Sequence, residues 1–140
     1  MAKREKYRRT LEEVLRSAAH VIYPNDDLSN RDRVPNVRSR ASDGDTVLHH
    51  LVFRGDRWGV KLVIEAGAEV NAVGDLGYTP LHLAAMAGDV QTIQMLLDAG
   101  ARRDVTCEFG ETPMDLAERA GPEVARAIRQ HRPTSRPQPE

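Results

Sequence analysis

A single cysteine, Cys107, stands in 140 residues. That excludes an internal disulfide framework and fits a reducing compartment. Aromatic residues make up only 4% of the chain, so any core has to be built from Leu, Val, Ile and Ala. No apolar run approaches the ~18 residues of a membrane span. The N-terminus is basic but lacks the apolar stretch of a secretory signal, so no membrane association and a cytoplasmic location are expected. There is no Gly-x-Ser-x-Gly elbow, no phosphate-cradling glycine loop and no catalytic carboxylate pair. The expectation is a protein that is not an enzyme and holds no cofactor.

Charge is nearly balanced, net −1, but unevenly spread. Residues 1–42 hold 10 Lys and Arg against 6 Asp and Glu, and residues 43–140 hold 10 against 15. A basic arm therefore precedes a mildly acidic body. An acidic body argues against nucleic acid as the main ligand. The arm, with Lys3, Arg4, Lys6, Arg8, Arg9 and the arginines from Arg31 to Arg40, keeps nucleic-acid binding as an alternative. Its mark would be steep loss of affinity with added salt. The plainer reading of residues 1–9 is a solvated terminus.

What the chain does have is a period. Gly44, Gly77 and Gly110 are spaced by 33, as are Thr46, Thr79 and Thr112. Leu48 and Leu81, His49 and His82, Gly55, Gly88 and Gly121, and Gly67-Ala68 and Gly100-Ala101 follow the same step. A fixed period of this size means stacked supersecondary units, none able to bury its apolar face alone. Each unit reads as two short helices. In the clearest one, Thr79 is a helix N-cap and Pro80 sits at the first helical position, where its missing donor costs nothing. Leu81, Leu83, Ala84 and Ala85 follow, then a second helix from Val90 to Ala99 carrying Ile93, Leu96 and Leu97. Helix pairs are expected at about 47–54 with 57–65, and at about 113–120 with 122–131.

The stretch Gly77-Tyr78-Thr79-Pro80-Leu81-His82-Leu83-Ala84-Ala85, followed by Leu96-Leu97-x-x-Gly100-Ala101, resembles the ankyrin repeat. The resemblance covers residues 41–131 as three repeats, about 41–73, 74–106 and 107–131. It departs from the pattern at Val47, which replaces the Pro, and at Asp115, which replaces the His. It implies an all-α solenoid of helix-turn-helix units with projecting β-hairpin-like fingers. It also implies that His49 and His82 brace the loops between repeats rather than bind metal. His50 beside His49 points about 100° away, and no third ligand lies at a recognisable spacing, so no metal is expected.

Outside the repeats, Thr10-Leu11-Glu12-Glu13 has the form of a capping box. Leu11, Val14, Leu15, Ala18 and Ile22 predict a helix over about 11–22, ended by Pro24, that caps the first repeat. Trp58 is expected to pack on it, the alternative being an exposed anchor for a partner. The arm is thus residues 1–42, with a loop at 24–42. The repeat body is 43–132, and residues 133–140, with three prolines, read as a disordered tail. Cys107 has an acidic neighbour, Glu108, the wrong sign for a reactive thiol.

Ligands of ankyrin repeats meet the concave side, the finger tips and the open positions of each first helix. Carried over residue by residue, that face is Asp43, Asp45, Phe53 and Arg54 in the first repeat, Asp75, Leu76, Tyr78 and Met86 in the second, and Glu108, Phe109, Glu111 and Arg119 in the third. Its centre is apolar and its rim acidic, the anatomy of a protein-binding patch. The partner expected is a protein with a basic contact surface, and the chain alone is expected to be monomeric. Small solitary ankyrin proteins of bacteria stand beside toxins as immunity proteins. That resemblance gives the most concrete role, inhibition of a cognate toxin. An adaptor or regulatory subunit is the alternative.

Overall fold

A computed structural model describes residues 8–24 and 33–132. The expected tail and residues 25–32 of the 24–42 loop lie outside the described residues, as do Lys3, Arg4, Lys6 and Arg31 of the arm. Eight α-helices are present among the described residues, in chain order α1 (Leu11–Ser17), α2 (Ala19–Ile22), α3 (Val47–Arg54), α4 (Arg57–Glu65), α5 (Pro80–Ala87), α6 (Val90–Asp98), α7 (Pro113–Ala120) and α8 (Pro122–Arg129).

Each first helix of a pair starts the same way. Thr46, Thr79 and Thr112 are N-caps whose hydroxyls accept from the backbone N–H three residues on, and the side chains of His49, His82 and Asp115 return the bond to the cap N–H. The reciprocal bonds satisfy orphan donors of the first turn. Gly55 and Gly88 end α3 and α5 in the left-handed conformation. Asp56 and Asp89 then cap α4 and α6.

The helices stack in two layers. In one, α5 lies between α3 and α7; in the other, α6 lies between α4 and α8. The core is a ribbon of aliphatic side chains between the layers, including Leu48, Leu51, Leu81, Ile93, Leu96 and Ile128, all essentially inaccessible. Small residues on α5, Ala84 and Ala85, are also fully buried. The middle repeat is covered on both sides.

The N-terminal helix is interrupted. Ser17 Oγ donates to the Val14 carbonyl at 2.6 Å, and the ladder tightens so that Ala18 N–H reaches Leu15 at 3.1 Å. Back-bonding of this kind bends a helix, which splits the expected 11–22 helix into α1 and α2. Helix α1 packs against α4 at the end of its layer, burying Val14 and Leu15. Trp58 on α4 donates its indole N–H to the Arg9 carbonyl at 2.8 Å, with the Arg8 guanidinium over its ring at 4.8 Å.

The fingers carry little strand pairing. Among the described residues the only β pairing is one isolated antiparallel bridge, Arg40 to Thr46. Each tip is instead a tight turn. Ala41, Gly74 and Cys107 donate their N–H to the carbonyl four residues on, at 2.7, 2.9 and 2.9 Å. Gly44, Gly77 and Gly110 donate back to the first residue at 3.0, 3.1 and 2.9 Å. These two crossing bonds over five residues are those of a tight hairpin turn, and strand pairing beyond it is limited, among the described residues, to the Arg40–Thr46 bridge.

Candidate functional site: the finger edge and the open side of the first helices

The repeat registers that form this face are positions 42/75/108, 43/76/109 and 45/78/111 on the fingers and 53/86/119 on the helices. What fixes them relative to one another is a set of bonds between repeats. Thr46 N–H donates to His49 Nδ1 at 3.1 Å, so the hydrogen sits on Nε2, which donates to the Tyr78 carbonyl at 2.9 Å. His82 repeats this with Thr79 N–H at 3.1 Å and the Glu111 carbonyl at 2.9 Å. Burial pushes both imidazoles below their ordinary 6.5, which keeps this neutral tautomer. Arg40 adds bonds to the carbonyls of Gly44 and Val73 at 2.8 and 2.9 Å.

The tips themselves are linked. Asp75 N–H donates to Asp45 Oδ1 at 2.8 Å, and Glu108 N–H to the Leu76 carbonyl at 3.0 Å. Two glycines permit these approaches. A Cβ on Gly74 would press on His49 Nε2 and Asp45 Oδ1. One on Gly77, already at φ +79°, would stand 2.8 Å from Glu108 N. Between them Leu76 sits at φ 57°, a left-handed conformation that costs a branched side chain about 1 kcal/mol or more.

The expected face divides into two groups. Asp43, Phe53, Asp75, Leu76, Met86, Glu108 and Phe109 are exposed. Tyr78 is half-buried, its ring 5.6 Å from His82 and 6.4 Å from Phe109. Asp45 and Glu111 are turned to internal work, Asp45 on the next finger and Glu111 in an ion pair with Arg119. Arg54 reaches back to the N-terminal helix, donating to Ser17 Oγ at 3.1 Å and pairing with Asp56 at 3.2 Å. Its neighbour His50 stacks edge-on with His20 at 5.6 Å.

Several of the arm's cations are also engaged. Arg8 covers Trp58, Arg9 bonds Asp56 at 2.5 Å, and the Arg33 guanidinium lies 3.9 Å over Tyr23. One exposed apolar residue of this face was not anticipated. Val73 is half exposed beside the second finger. The signal was there, since the same register holds Arg40 and Thr106 in the other repeats.

The description "ankyrin repeats (3 copies)" matches residues 48–136. No curated protein matches the chain. Three stacked helix pairs, Thr-capped and histidine-braced, together with that match over more than half of the sequence, place the chain in the ankyrin repeat family, whose members are protein-interaction modules.

Proposed function

We propose that the chain is a non-enzymatic protein-binding module that engages its partner through the finger edge and the open side of α3 and α5. One observation carries this reading. Among the described residues five large apolar side chains are exposed, and four of them fall on just two repeat registers. Leu76 (44%) and Phe109 (63%) share the finger register, and Phe53 (78%) and Met86 (44%) share the helix register. Val73, the fifth, adjoins the second finger. Scattered exposed apolar residues need no explanation, but their recurrence at two registers, with acidic residues beside the finger pair, favours an interaction site. The rim is acidic: Asp43, Asp75 and Glu108 take part in no ion pair among the described residues. It favours a basic contact surface and speeds encounter with one.

The most concrete role is an immunity-type inhibitor whose acidic rim occupies a basic site on a cognate toxin. The test has two arms. Partner capture by the Phe53→Ser/Phe109→Ser variant should fall to background while its thermal unfolding matches the parent. Retained capture would sink the face. Co-expression with the product of the adjacent gene should relieve growth arrest if the role is immunity, and growth unaffected by either protein points to an adaptor instead.

A further inference from the structure

We infer that the finger edge takes a polyproline II segment of a partner protein bearing Arg or Lys at every third position. The inference rests on the reading of this edge as the binding face and adds the partner's conformation and charge spacing.

The first ground is spacing. The tips are bonded to one another, Asp75 N–H to Asp45 and Glu108 N–H to the Leu76 carbonyl. They therefore advance by the step of the helix layers beneath them, about 8–10 Å. The second and third fingers set an exposed carboxylate at one register of this edge, Asp75 and Glu108, while the first has Ser42 there and places Asp43 one residue further on. A matching partner must present cations on one side at that step. A β-strand repeats a face every two residues, about 6.6 Å, and misses. An α-helix meets the step only at every seventh residue, about 10.5 Å, and brings a body about 10 Å wide to a narrow edge. Polyproline II turns once in three residues with a rise of about 3.1 Å, so one side repeats every ~9 Å.

The second ground is what lies between the carboxylates. Leu76 and Phe109 are exposed immediately after Asp75 and Glu108. The Phe109 ring lies 6.4 Å from that of Tyr78 at a 40° tilt. Aromatic walls beside acidic groups are the surface on which proline rings and flanking cations seat. A segment already extended in solution also loses little conformational freedom on binding.

The test uses labelled synthetic peptides of one composition, Arg, Pro and Ala, about a dozen residues long, read by fluorescence anisotropy against the full chain. Arg stands at every third position in one peptide, at every second in another, and clustered at one end in the third. The every-third peptide should bind about tenfold tighter than the other two, and replacing its prolines by Gly should lose most of that gain. Asp75→Asn with Glu108→Gln should erase the preference among the three and flatten the salt dependence. Leu76→Ser with Phe109→Ser should weaken the every-third peptide about tenfold, with circular dichroism unchanged. Equal affinity for the three peptides, or no binding of the every-third peptide, overturns the inference. If that equal binding still disappears with Leu76→Ser and Phe109→Ser, the binding face itself stands. If peptide binding is indifferent to every substitution on the edge, both fall.

Discussion

His49 and His82 each join three elements through one ring: their own cap, their own helix and the next finger. The geometry needs the neutral ring, since a proton on Nδ1 would face the Thr N–H. Burial holds both rings below the ordinary 6.5. Below that pH the unfolded chain takes up protons that the folded chain refuses. The braces' contribution is therefore complete above about pH 6.5 and declines as pH falls below it, at up to about 1.4 kcal/mol per pH unit for each ring. Urea unfolding at pH 7.5, 6.5 and 5.5 should show this loss, and a flat profile would contradict it. Leu76 gives a prediction of opposite sign. Its side chain is 44% exposed and its backbone left-handed. Leu76→Asn, which tolerates that conformation, should raise stability by about 0.5–1 kcal/mol and weaken partner binding, a trade expected of strain kept at a contact residue. Gly77→Ala should cost more than 1 kcal/mol, because it meets both the positive φ and the Glu108 amide.

At the scale of elements, the arm acts in place of a preceding repeat. Arg57 bonds the cap residue Asp89 of the next helix at 3.0 Å. Arg9 does the same for Asp56 at 2.5 Å, although it lies outside the 33-residue register. Burial works to raise both carboxyls, and the arginine and cap hydrogen bonds outweigh it, leaving each below its ordinary value. Asp56→Ala removes a cap and strands Arg9 and Arg54. It should cost about 1–2 kcal/mol, and hydrogen exchange should show α1 released first. Loss spread evenly over the chain would contradict the lock. These contacts also explain where the sequence was readable. Helix starts were legible because Thr-Pro-x-His and Thr-Val-x-His act within one turn. The finger registers were legible because the period is constant. The direction of long side chains was not: Arg54 turns to Ser17, 37 residues away, and Asp45 and Glu111 are consumed by contacts with the next finger and with Arg119. A register number places a Cα, whereas ion pairs across elements decide which head groups remain for a partner. How far strand pairing runs along the fingers was not legible: beyond the closing turns, only Arg40 and Thr46 pair among the described residues.

For the whole molecule, each repeat touches only its neighbours, so stability should be graded along the stack. Amides of α5 and α6 should exchange slowest, with α1 and α8 faster by one to several powers of ten. Uniform protection would mean a more cooperative unit than nearest-neighbour stacking gives. The histidine brace has a further consequence, since it donates in one direction only. Each repeat hands a proton-bearing nitrogen forward to a carbonyl of the following finger. The third repeat carries Asp115 there, exposed and bonded back to Thr112 N–H at 2.9 Å, a group with no hydrogen to give. The solenoid thus has a grammar, with two residues that continue the sentence and one that punctuates it. Asp115→His should leave stability within about 0.5 kcal/mol of the parent because, among the described residues, no following finger presents a carbonyl to its hydrogen. His82→Asp, which cuts the sentence in the middle, should uncouple the third repeat from the second and split one unfolding transition into two.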